Sequence, residues 1–214
     1  MPDIVYLHGF ASSSDSEKGR FFHNQFGMIG TTVHQPELVT GPFHKTTMTA
    51  QLGVVDRVIR AHRPSMVIGS SLGGYLAALY GARHPDLAPV VVMLAPAFDF
   101  VRQWTRKLGP EALRKWRQTG KLSVYHHGQQ RMENLGYEFY TDAIRYEAWP
   151  KLRQPALIFH GQYDDVVYPS SSVQYVWSNM SAEMELVESG HELTGVLDEI
   201  WPKMLQFYRR AEPF

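Results

Sequence analysis

A chain of 214 residues has the length of one domain, and 44% apolar with 20% charged residues is the balance of a globular protein, not of a disordered or membrane-embedded one. Its 21 basic side chains are matched by 21 acidic ones, so no net field draws it to nucleic acid or to an anionic membrane. It contains no cysteine, which excludes disulfides, thiolate metal sites and a cysteine nucleophile.

The stretch from Met1 to His8 has no basic segment and only a short apolar run, and no later run approaches about 18 apolar residues. The expectation is a cytoplasmic protein without stable membrane anchoring. The first element is a strand, Ile4–Leu7, which runs into His8-Gly9-Phe10-Ala11-Ser12-Ser13. A helix is expected near Lys18–Phe26, a strand near Thr31–His34 and a helix over Thr47–His62. In that second helix Leu52, Val55, Val58 and Ile59 mark one buried face, and Pro64 marks its end. A strand at Met66–Gly69 and a helix at Leu72–Arg83 follow, then Pro89–Leu94, apolar throughout as a strand covered on both faces must be.

About sixty residues separate this strand from the next, Ala156–Phe159, far more than an ordinary crossover needs. Within them Phe98–Gln118 is amphipathic and reads as two short helices broken at Gly109-Pro110. Its apolar stripe, with Trp104 and Trp116, has two readings: the lining of a substrate pocket, or ordinary core. Its Arg and Lys residues read as a solvated face. A helix beginning near Pro169-Ser170, a strand at Met184–Val187 and a terminal helix over Val196–Arg210 complete the chain, with Pro202 expected to kink the last helix. Alternating strands and helices imply a doubly wound, mostly parallel sheet. One domain over residues 1–214 is expected, with a helical cap inserted at about 98–149.

The chemistry is concentrated in Gly69-Ser70-Ser71-Leu72-Gly73, which follows an apolar strand and precedes a helix. A sharp strand-to-helix turn has no room for side chains two residues before and after its centre. Glycine occupies both places only if Ser71 is the centre, since Ser70 would be flanked by Ile68 and Leu72. Ser71 is therefore the candidate nucleophile. On such an elbow the partners follow in the order acid, then histidine. Of the ten histidines only His191 lies beyond the carboxylates at Asp164 and Asp165, after a strand and Ser189-Gly190. Asp164 is preferred as the acid, with Asp165 as its rival. His8 precedes the serine at a turn and reads as a loop-shaping residue. His44, His126 and His127 have no ligand pair at metal spacing, while His23, His62 and His84 read as helix ends or surface. No metal or cofactor is expected.

Together these motifs resemble the α/β-hydrolase superfamily. His160-Gly-Gln-Tyr-Asp164-Asp-Val-Val167 is similar to the HGxxDxxVP pattern that follows the acid-bearing strand in many of its members, with the aspartate falling on Asp164 and Tyr168 intervening before Pro169. His8-Gly9-Phe10 resembles the HG loop that supplies half of an oxyanion hole, which implies the backbone N–H groups of Phe10 and Leu72 as the two donors. More narrowly, Tyr6–Ser13, Ile68–Gly74 and His160–Val167 look like small esterases of the YqiA type and the acyl-protein thioesterase and acyl-glucuronide esterase branch. The resemblance implies an α/β-hydrolase fold and hydrolysis of a small-molecule acyl ester or thioester by a Ser-Asp-His triad without metal or cofactor. An amidase or peptidase of the same fold, and a binding protein that keeps the shape without turnover, are the alternatives.

Overall fold

The computed structural model describes residues 2–211. In chain order its elements are β1 (Ile4–Leu7), α1 (Glu17–Met28), β2 (Val33–His34), α2 (Met48–His62), β3 (Met66–Ser70), α3 (Leu72–Arg83), β4 (Val91–Leu94), α4 (Phe100–Thr119), β5 (Lys121–His126), β6 (Arg131–Gly136), α5 (Tyr137–Ala143), β7 (Ala156–Gly161), α6 (Pro169–Ser178), β8 (Ala182–Val187) and α7 (Leu197–Ala211). Six strands pair in parallel in the order β2-β1-β3-β4-β7-β8. The chain passes outward from β1 to β2, then returns to the other side of β1 and winds the opposite way. The switch point between β1 and β3, where Leu7 pairs with Gly69, is where open α/β sheets place their ligands.

Both faces of the sheet are apolar because successive side chains on each strand point in opposite directions. Val5, Leu7, Val67, Val91, Met93 and Ile158 join one core with α2 to α6. Ile4, Tyr6, Ile68, Val92, Leu94 and Phe159 join a second core with α1 and α7. Each fully buried Val, Leu, Ile or Phe stabilises this arrangement by about 1.5–3 kcal/mol relative to exposure. Local signals set the helix ends: Ser16 and Thr47 accept from Gly19 N and Ala50 N at the starts of α1 and α2, and Arg63, in a left-handed conformation (φ 47°), ends α2 before Pro64. The helix α7 runs on through Pro202 as one helix, so the proline does not interrupt it. Proline removes one backbone donor, but Leu197, Ile200, Met204, Phe207 and Tyr208 hold the helix on the sheet from both sides of it.

The long crossover from β4 to β7 contains α4, α5 and a hairpin. Gly109 leaves helical geometry (φ 75°, ψ 165°) and breaks α4 where Gly109-Pro110 is expected to. Beside the helices α4 and α5 the insertion holds a strand pair that the sequence reading does not include, since β5 and β6 form an antiparallel ladder from Lys121↔Gly136 to His126↔Arg131. Along β5 the exposed Lys121, Ser123 and Tyr125 alternate with the more buried Leu122, Val124 and His126. That two-residue period is easily overlooked in sequence because half of it is carried by polar residues. Among the described residues no helix is long and apolar enough to cross a membrane.

Candidate active site

The turn between β3 and α3 presents Ser71. Its backbone is forced to φ 52° and ψ −115°, a conformation that costs a non-glycine residue about 1–3 kcal/mol and persists only where its surroundings impose it. Here they do: Ser71 N–H donates to Leu94 O at 2.8 Å, and Ser71 O accepts from Ala97 N at 3.0 Å and Tyr75 N at 3.1 Å. The flanking glycines are sterically required. A Cβ on Gly69 would overlap the Gly73 carbonyl oxygen, and one on Gly73 would overlap the Leu7 carbonyl oxygen.

Three strand ends then bring the polar groups together. His191 Nε2 lies 3.0 Å from Ser71 Oγ, and His191 Nδ1 lies 2.8 Å from Asp164 Oδ2. A carboxylate only accepts, so Nδ1 carries the hydrogen and Nε2 is left as the acceptor facing the serine hydroxyl. The Asp164 side chain is fully buried and its Oδ1 accepts from Val166 N at 2.9 Å and Val167 N at 2.8 Å. Burial by itself would raise its pKa. Hydrogen bonds from His160 and His191, the charge interaction with His191 and the Val167 amide outweigh that and hold the carboxyl well below its ordinary range. Asp165 is exposed, and its carbonyl instead accepts from Lys107 Nζ at 2.7 Å.

Two further residues at the site carry no sequence signal of their own. His160, fully buried on β7, approaches Asp164 Oδ2 at 3.1 Å, and the sequence marks it only as the first residue of the His160–Val167 motif. Lys18 on α1 is nearly buried, and its Nζ donates to the carbonyl oxygen of Glu192 at 2.6 Å, tying α1 to the loop that carries His191. A lysine on a surface helix gives no hint of a partner 174 residues away. His8 shapes the loop after β1: its Nδ1 donates to Gly9 O at 2.9 Å, while Nε2 faces Leu38 N at 3.2 Å and Glu37 Oε1 at 3.0 Å. This loop lies against the serine, for a Cβ on Gly9 would come within 3.4 Å of Ser71 Cβ. Phe10 follows in that loop, and Leu72 is the first residue of α3, where helix geometry leaves the N–H without an intrahelical acceptor.

A cavity of about 790 Å³ opens over Ser71 and His191. Phe10 and Leu72 line it from the sheet side, and Phe100, Gln103, Trp104 and Lys107 of α4 line it from the insertion. The hairpin contributes Tyr125, and His127, Gly128 and Gln130 of its turn also reach the cavity, with Gly128 N–H donating to Ala11 O at 3.3 Å. Lys107 Nζ, bonded to the Asp165 and Val166 carbonyls, latches α4 onto the loop that carries Asp164. Trp104 reaches the cavity, but Trp116 does not. It is 1% exposed, donates from Nε1 to Leu135 O at 3.0 Å, and packs edge-on behind Trp104 with ring centroids 5.3 Å apart. The reading of Trp116 as a substrate contact is thus replaced by a place in the core.

Several solved structures that share this architecture are named as α/β hydrolases or hydrolases. The chain superposes on alpha/beta hydrolase domain-containing protein 10 from mouse with a TM-score of 0.78 at 17% identity, covering 95% of this chain and 91% of that one. Est1E from Butyrivibrio proteoclasticus gives 0.71 at 18% identity over 96% and 88% of the two chains, and a second structure of Est1E, with ferulic acid bound, gives 0.73. A structure reported for the metagenome-derived lipolytic enzymes LipS and LipT gives 0.72 at 19% identity over 97% and 93%. At these identities the likeness carries the fold. A comparison with curated proteins finds no match. Residues 3–209 match the family described as "Uncharacterised protein family (UPF0227)", so the chain, an α/β hydrolase by fold, belongs to UPF0227.

Proposed function

We propose that the protein is a serine hydrolase that cleaves small carboxylic esters or thioesters through an acyl-enzyme on Ser71. The observation that carries this reading is the unbroken path from Ser71 Oγ through His191 to a buried, ionised Asp164, with contacts of 3.0 and 2.8 Å beneath an open cavity. The lipolytic enzymes LipS and LipT, whose fold it shares, support the choice of ester chemistry, as does Est1E, whose structure holds ferulic acid, a carboxylic acid.

In the first step Ser71 Oγ attacks the acyl carbonyl while its proton passes to His191 Nε2, and the imidazolium is stabilised by Asp164 through Nδ1. The Phe10 and Leu72 N–H groups donate to the oxyanion, aided by the positive end of the α3 dipole. His191 returns the proton to the departing alcohol or thiol, then takes one from water as it attacks the acyl-enzyme and delivers it to Ser71 Oγ as the bond to the acyl carbon breaks and the carboxylic acid leaves. The aromatic wall of Phe10, Phe100 and Trp104 receives the apolar part of the substrate. No step requires a metal or an organic cofactor.

A fluorophosphonate probe tests the reading. Wild type is expected to gain one adduct at Ser71 and to hydrolyse p-nitrophenyl esters or acyl thioesters. Ser71→Ala is expected to lose both, with turnover down by roughly 10⁴–10⁶, while Ser70→Ala keeps them. A folded wild type that stays unlabelled and turns over neither substrate class would make the chain a binding protein on a hydrolase fold.

A further inference from the structure

At the amino end of the sheet three ligand-bearing side chains from three separate segments converge. Asp3 immediately precedes β1, His34 ends β2 and His62 ends α2. One donor atom from each lies within 4.8 Å of the other two. His34 Nε2 and Asp3 Oδ2 are 2.7 Å apart, and the His34 and His62 rings stack with centroids 3.4 Å apart at 20°. The segments are held in register by the backbone: Val5 pairs with His34, Ile4 N–H donates to Thr32 O at 2.9 Å, Ser65 N–H donates to Asp3 O at 2.9 Å, and Arg63 N–H donates to Ile59 O at 2.8 Å just after His62.

We propose that Asp3, His34 and His62 form a binding site for a divalent transition-metal cation, Zn²⁺ first among them. Two imidazole nitrogens and a carboxylate oxygen are the donor set of Zn²⁺, Co²⁺ or Ni²⁺, whereas Mg²⁺ and Ca²⁺ take oxygen ligands. Asp3 supplies one compensating charge, and the carboxyl end of α2 adds the negative end of a helix dipole. The His34–Asp3 contact fits this role, since the cation takes the place of the hydrogen the two atoms share.

The geometry needs a small adjustment. Donors about 2.0–2.2 Å from a tetrahedral zinc stand about 3.3 Å apart, so the 2.7 Å pair must open by roughly half an ångström. His62 is exposed, so its ring can leave the stack and turn a nitrogen toward the other two donors. Asp3 and His34, 36% and 22% exposed, form the sheltered half of the site. Three protein ligands leave a further position to water. The positions 3, 34 and 62 follow no metal-binding spacing, so the histidines that read as strand and surface residues in the sequence are brought together only by the pairing of β1 with β2 and the packing of α2 beside them. The site is also separate from Ser71: Asp3 stands at the entrance to β1, whereas Phe10 lies beyond its exit.

Calorimetric titration of the tag-free full chain with Zn²⁺, and the visible spectrum with Co²⁺, test the proposal. Wild type is expected to bind one equivalent at low-micromolar affinity or tighter and to give a four-coordinate Co²⁺ spectrum. Loss of a groups that merely orient a ligand costs about 10–100-fold in metal affinity, so His62→Ala and Asp3→Asn are expected to weaken binding by at least about 10-fold. His62 is exposed at a helix end, so its replacement leaves the fold intact, as circular dichroism would check. Absence of saturable binding by wild type, or equal binding by folded His62→Ala and wild type, would overturn the proposal, the latter by placing the ion at other histidines.

Discussion

The imidazole of His160 approaches Asp164 Oδ2 at 3.1 Å, the same oxygen that faces His191 Nδ1 at 2.8 Å. The partners of His160 fix its tautomer. Val167 O lies 2.9 Å from Nε2 and can only accept, so Nε2 carries a hydrogen directed at both that carbonyl and the carboxylate, while Nδ1 accepts from the buried Ser172 hydroxyl at 2.8 Å. In the proposed mechanism His160 is therefore a positioning residue, aiming the carboxylate from inside the core.

Removing this donor should slow turnover without abolishing it. A hydrogen bond to a charged group is worth about 1.5–3 kcal/mol, so His160→Leu is expected to lower kcat by roughly 10–100-fold and to shift the acid limb of the kcat/KM profile upward, since a less stabilised carboxylate holds the imidazolium more tightly. His160→Gln, which returns an N–H near the Nε2 position, should recover part of both effects. A variant with lowered thermal stability but an unmoved acid limb would reduce His160 to packing.

The two neighbouring aspartates should behave differently. Asp164→Asn is expected to cost about 10⁴ in kcat, because the amide favours the wrong His191 tautomer, whereas Asp165→Asn, on an exposed side chain, should stay near wild type. Steady-state kinetics on both purified variants decides this, and equal losses would reassign the acid.

Acid stability provides a separate measure of the Asp164 environment. Its folded-state pKa lies below the ordinary value of 3.8, so the ionised carboxylate stabilises the folded chain fully above that value and progressively less as pH falls below it, where the unfolded chain takes up the proton first. Urea unfolding followed from pH 6 down to about pH 2 should show wild-type stability falling more steeply below about pH 4 than that of Asp164→Asn. Parallel curves would mean that the carboxylate is not held ionised.

The paired tryptophans of α4 should separate selectivity from stability. Trp104 lines the cavity, so Trp104→Ala is expected to change relative kcat/KM across acyl-chain lengths by roughly 10-fold while acetate esters remain substrates. Trp116 is buried against Leu135 and the Tyr137 and Tyr140 rings, so Trp116→Ala should cost about 3–5 kcal/mol of stability and leave the chain-length profile unchanged. Profiles on p-nitrophenyl esters, with thermal melts alongside, distinguish the two roles.

What the sequence determined by itself is what backbone geometry dictates locally. A turn that tolerates no Cβ at Gly69 or Gly73 selects Ser71 over Ser70, uninterrupted apolar runs mark strands covered on both faces, and serine, acid and histidine each follow a strand in a readable order. These patterns need only a few consecutive residues, so the α/β-hydrolase architecture and the candidate site were legible without coordinates. Tertiary structure decided what depends on distant partners. The break at Gly109 and the packing beyond it turn Trp104 toward the cavity and Trp116 into the core, although both belong to one apolar stripe. Lys18 meets Glu192 only because α1 and the loop after β8 come together, and Asp3 meets His34 only because β1 and β2 pair. Pairing in space is set by the register of a sheet and the packing of helices upon it, and no local run of residues encodes that.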